Sequence, residues 1–148
     1  MFFPSQNHEV YDCDMCIGVM TFVSLCDVMV HMTLRPYERL IAWQEAHKLY
    51  LWIHQCTEKF PMHERMRLVD QMRRSAYSAP MNLAEGCNKR TMKERRRFYE
   101  IAASSLEELH YQCRLSRDLH YISEEEFLYV QGQISKTSYL INRLRGVL

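Results

Sequence analysis

QMRRSAYSAPMNLAEGCNKRTMKERRRF, residues 71–98, decides the fold. Met72, Ala76, Ala79 and Leu83 recur every three or four positions, the period of one helical face. Leu68 extends that stripe upstream. Pro80 falls inside the pattern, so the reading expects a kink near 76–79. Small residues at 75, 76, 78 and 79 allow a second helix to approach closely there. Gly86 is a natural C-terminal cap. Thr91-Met92-Lys93-Glu94 is a capping-box pattern that opens the next helix. One helix, a tight turn and a second helix are therefore written into a single stretch.

Working outward, the first helix is expected over about 36–60, with Leu40, Ala46, Leu49, Tyr50, Ile53 and Phe60 at helical spacing. Phe60-Pro61 ends it, because a residue before proline avoids helical dihedrals. Pro61 then suits the first turn of a second helix over about 61–85. The third is expected over about 92–120, with Phe98, Ile101, Ala102, Ser105, Leu109 and Cys113 as its inner stripe. Ser123-Glu124-Glu125-Glu126 is another capping box, and its acids suit the start of a helix over about 124–145. Phe127, Val130, Ile134, Ile141, Leu144 and Leu148 carry the core face of that helix. Four amphipathic helices joined by short turns predict an all-α, antiparallel up-down-up-down bundle over 32–148.

Residues 1–31 read differently. They hold no Lys or Arg and four acids, Glu9, Asp12, Asp14 and Asp27. The apolar run 15–30 is short for a membrane span and is interrupted by Asp27. Met32 reads as the natural start, and 1–31 as a dispensable N-terminal extension; a chain starting at Met32 should stay soluble and active. Cys13 and Cys16 have metal-like spacing, with Cys26 and His31 nearby. A second spaced ligand pair, as in structural zinc sites, is missing. The six cysteines are scattered over helical segments, which fits reduced thiols and a cytoplasmic location.

The net charge of +1 hides an asymmetry: 32–148 holds all nineteen bases against fourteen acids, a net +5. Between 65 and 97, ten bases face three acids, a net +7. Arg73, Arg74, Lys89, Arg90, Lys93, Arg95, Arg96 and Arg97 are the candidate nucleic-acid contacts, because phosphate backbones bind such clusters by counterion release. No base-reading motif is visible, so binding should be mostly non-specific. Alanine at Arg95, Arg96 and Arg97 should weaken it. The plain alternative is a solvated helix end paired with neighbouring glutamates. Asn82, Glu85 and Gly86 form a polar cluster read as structural: Glu85 pairing an arginine, and Asn82 satisfying backbone freed by Pro80.

Catalytic patterns are missing. There is no Gly-rich phosphate loop, nucleophile elbow or HExxH. One Glu-x-x-His stands at 107–110, where a di-iron bundle needs two plus further carboxylates. His47 and His54, seven apart, decorate a helix rather than bind metal. One of Trp43 and Trp52 is expected at a contact between subunits. The chain reads as a non-enzyme without cofactor, metal or membrane span.

Three stretches in order, LIAWQEAHKLYLWIHQCTEKFP, LVDQMRRSAYSAPMNLAEG and FYEIAASSLEELHYQCRLSRDLHYIS, resemble the four-helix-bundle proteins encoded in intervening sequences of bacterial 23S ribosomal RNA genes. That superfamily includes the accessory variability determinant of diversity-generating retroelements. The resemblance covers about 34–148 and is most specific at 71–74 and 82–86; 1–31 have no counterpart. It implies a non-enzymatic homo-oligomeric ring, a pentamer. In the retroelement branch it implies a basic ring that partners a reverse transcriptase and its template RNA. The alternative it leaves is a scaffold with no nucleic-acid role.

Overall fold

The computed structural model describes residues 34–146. Four helices carry the fold: α1 Ile41–Cys56, α2 Asp70–Cys87, α3 Met92–Asp118 and α4 Glu124–Gly146. Each runs antiparallel to its sequence neighbour, and α4 packs back on α1 to close an up-down-up-down bundle. The extension 1–31 lies outside the described residues. No described helix is long and apolar enough to cross a membrane.

The capping signals act where the sequence places them. The Thr91 hydroxyl accepts from the Glu94 N–H at 3.2 Å. Ser123 and Glu126 bond reciprocally, Glu126 N–H to Ser123 Oγ at 3.1 Å and Ser123 N–H to Glu126 Oε2 at 2.9 Å. Two orphan donors at the start of α4 are thereby satisfied. Lys59 also bonds Glu126, and these contacts hold its carboxyl below the usual range. Between α3 and α4 the chain turns through His120, whose φ of 60° puts it in the left-handed region. The Tyr121 N–H then reaches back to the Ser116 carbonyl at 2.8 Å, which closes the helix end.

Three details differ from the sequence reading. The first and second helices are shorter than 36–60 and 61–85. Single 3-10 turns, Pro36–Arg39, Thr57–Lys59 and Met62–Glu64, flank α1 and precede α2, and a π-helical turn Arg65–Val69 leads into α2. An irregular turn stands at the start of the second helix, where Glu64 Oε2 accepts from the Leu68 N–H. The α-helix continues through Pro80 without a break. Second, the inner stripe of α3 keeps Ala102, Ser105, Leu109 and Cys113 but takes Tyr99 and Leu106 in place of Phe98 and Ile101; Leu106 is fully buried, and Ile101 is 40% exposed. Third, α2 runs past Gly86, so that glycine supplies space rather than a left-handed stop.

The space is needed because Tyr99 packs across the end of α2. A Cβ on Gly86 would lie 2.7 Å from Tyr99 Cε1 and 3.0 Å from Phe98 Cβ. Both α3 residues sit at the start of their helix, and Tyr99 is buried, so neither moves freely. Gly86→Ala should cost about 1–3 kcal/mol, the range for overpacking, read as a lower Tm. An unchanged Tm would mean that the Tyr99 ring swings aside.

The α2–α3 seam is polar where the small residues meet. Ser105 Oγ donates to Ser78 Oγ at 2.8 Å, and Gln112 Nε2 to Ser75 Oγ at 3.2 Å. Elsewhere the core is largely apolar, with Ile53, Met72, Leu83, Leu109, Val130 and Ile141 fully buried. Each such side chain contributes roughly 1.5–3 kcal/mol by removal from water.

Candidate nucleic-acid interface

Antiparallel packing sorts the charges by helix end. One pole collects the start of α1, the end of α2, the start of α3 and the end of α4. It carries Arg35, Arg39, Lys89, Arg90, Lys93, Arg95, Arg96, Arg97, Arg143 and Arg145 against Glu38, Glu85, Glu94 and Glu100, ten bases to four acids and a net +6. The opposite pole holds seven bases (Lys59, Arg65, Arg67, Arg73, Arg74, Arg114, Arg117) and seven acids (Glu58, Glu64, Asp70, Asp118, Glu124, Glu125, Glu126). The described bundle is therefore cationic at one end and balanced at the other.

This arrangement splits the sequence-read cluster. Arg74 and Lys89 are fifteen residues apart along α2 and the turn that follows it, roughly 22 Å at helical rise. Arg73 does structural work at the balanced pole: its Nε donates to Thr57 Oγ1 at 2.9 Å and its Nη2 to the His54 carbonyl at 3.1 Å. It thus caps the end of α1. Arg74 is exposed beside a groove of about 530 Å³ between α2 and α3. Four basic residues that the local charge run did not include, Arg35, Arg39, Arg143 and Arg145, join the cationic pole instead. Their signal lay in the topology: in an antiparallel bundle, the first helix start and the last helix end fall beside the second turn.

Within the cationic pole the bases divide again. Lys89 pairs with Glu85 at 3.1 Å and lies 4.6 Å above the Phe98 ring. Arg95 Nε donates to the Lys89 carbonyl at 2.8 Å, tying down the turn. Arg96 and Arg145 share Glu100, at 3.4 and 3.3 Å. Arg90, Lys93 and Arg97 are exposed and have no carboxylate partner among the described residues. Glu94, held below the usual carboxylate range by the Thr91 hydroxyl, stays ionised within the pole.

The polar cluster takes a form other than the one read from sequence. Glu85 is more than half exposed and pairs with Lys89, not with an arginine. The Asn82 amide donates to the Ser78 carbonyl and hydroxyl at 2.8 and 3.1 Å. The carbonyl that Pro80 leaves without its helical donor belongs to Ala76, so Asn82 does not serve it. Of the three residues, Gly86 is the one buried, against Tyr99.

Among the described residues, no group of three or more His, Cys, Asp or Glu side chains could hold a metal ion. Burial pushes the Cys113 thiol up to about 12, and burial with the Glu126 carboxylate pushes Cys56 up to about 11. Neither is a thiolate at neutral pH. In the Glu-x-x-His stretch, His110 lies against the Phe127 ring and Glu108 bonds Gln112. Cys13, Cys16, Cys26 and His31 lie outside the described residues.

A closed four-helix bundle with one cationic pole defines a class of small all-α protein. Within it, the model of the 23S rRNA-intervening sequence protein family matches residues 38–143. The chain belongs to that family, as the stretches quoted from its sequence imply. No curated protein matches it.

Proposed function

We propose that this protein is a non-enzymatic bundle that binds the sugar-phosphate backbone of nucleic acid through its cationic pole. One observation carries the reading: a net +6 gathered from four helix ends, with Arg90, Lys93 and Arg97 left without a carboxylate partner among the described residues. Such side chains displace condensed counterions from phosphates, and the released ions drive association. Affinity for an RNA homopolymer should therefore fall steeply with salt. About six phosphate contacts give a log–log slope near −4 for a single strand. Binding that is flat with salt, or missing at about 50 mM salt, would overturn the reading.

A second reading, a self-assembling scaffold, is favoured by two apolar faces on opposite sides of the bundle. Tyr129 is exposed on the α1–α4 side, where its ring lies 5.5 Å from that of Trp52, and Leu51 and Leu128 are exposed on the same two helices. Met81 and Ile101 are exposed on the α2–α3 side. Two unlike faces suit head-to-tail contacts, which close into rings. A homopentamer with its bundle axes along the symmetry axis would align five cationic poles, a surface suited to nucleic acid and to an enzyme that works on it, such as a reverse transcriptase. The expected mass by light scattering is that of a closed oligomer; a monomer at all concentrations would remove the ring.

A further inference from the structure

We propose that an aromatic row on the α1–α2 side is a base-stacking track, so that the ligand of the cationic pole is single-stranded nucleic acid. This rests on the nucleic-acid reading above and names its substrate class. The row starts at the pole itself. Tyr37 lies between Arg35 and Arg39, and its ring sits 5.0 Å from that of Trp43. Trp43 and His47 are stacked, with centroids 5.1 Å apart and planes 6° from parallel. Further along, Tyr50 lies 6.2 Å from His54 and 5.9 Å from Tyr77 of α2.

Residues 43, 47, 50 and 54 recur at intervals of four, three and four, so they share one face of α1. They span about 16 Å at helical rise. Trp43 and Tyr50 rest partly on the core. His47 does not: it is exposed, and its ring lies parallel to the Trp43 indole. Tyr77 is likewise half exposed. Flat rings that keep a face open to water offer stacking partners to any base. Bases in a duplex already stack on one another and cannot use them, whereas unpaired bases can splay onto aromatic rings. The cationic pole supplies backbone attraction at one end of the row, and the rings supply contacts that only a single strand satisfies.

The test uses Trp52→Phe, which leaves Trp43 the sole tryptophan of the chain. An oligouridylate of about 12 nucleotides, within the usual range of single-strand sites, is titrated against an RNA duplex of equal length. The single strand should quench Trp43 fluorescence and bind at least about 10-fold tighter than the duplex. His47→Ala and Tyr77→Ala should each weaken single-strand binding by about 5- to 100-fold, the range for one lost stack. Duplex affinity and the salt slope should stay unchanged. Equal affinity for both strands, no quenching, or unaltered single-strand affinity in both variants overturns the track while leaving salt-dependent binding at the pole intact. If the variants change the oligomeric mass but not the affinity, the row is a contact between copies and the track is again overturned. No salt-dependent binding of either strand overturns both readings together.

Discussion

Replacing Arg90, Lys93 and Arg97 together by alanine should weaken RNA binding about 100-fold at 0.1 M salt. The figure follows from counterion release. Each lost contact removes about 0.7 from the log–log salt slope of a single strand. Three contacts therefore flatten the slope by about 2, which at 0.1 M is about two decades of affinity. These three are chosen over Arg95, Arg96 and Lys89 because the latter also hold the protein together, through the Lys89 carbonyl, Glu100 and Glu85. Removing the unpaired ones should not destabilise the fold. Lys93 and Arg97 lie in the first turns of α3, where the helix dipole disfavours cations. The matched control is Arg65, Arg67 and Arg74 to alanine at the balanced pole, which should leave affinity and slope unchanged. Equal losses from both triples would mean that net charge, not the cationic pole, governs binding.

Leu106→Ala should lower stability by about 2–5 kcal/mol, the cost of emptying a buried leucine site. Ile101→Ala, on the same helix, should stay within about 0.5 kcal/mol, as for exposed positions. In a domain of this size the first change should lower Tm by roughly 10 °C or more. The pair tests the register of α3 directly. Leu106 is fully enclosed, while Ile101 is 40% exposed. A loss at Ile101 as large as at Leu106 would show that Ile101 is covered, and light scattering on the variant would show whether a second copy covers it.

The misassigned Ile101 illustrates where periodicity runs out. Phe98 and Ile101 fit a helical stripe with Ala102, Ser105 and Leu109 as well as Tyr99 and Leu106 do, since both choices keep three- and four-residue steps. Which set faces inward depends on what α2 presents, and Gly86 admits the Tyr99 ring. Likewise, Arg73 reads as part of a basic patch until the end of α1 is seen beside it, offering a carbonyl and a hydroxyl to its guanidinium. Long-range partners of this kind leave no trace in local spacing.

What the chain alone determined is the class of fold and its family. Helix starts at Thr91 and Ser123, the break at Phe60-Pro61 and the amphipathic stripes are local, because capping bonds and helical periods involve residues within a turn or two of each other. What only the tertiary structure decided is where the charge resides. The run from 65 to 97 is continuous in sequence, yet α2 carries its two halves to opposite ends of the bundle. Antiparallel packing then brings Arg35, Arg39, Arg143 and Arg145 to one of them. A rigid helix separates near neighbours in sequence by its length, and a closed bundle joins distant ones, so the cationic pole exists only in three dimensions.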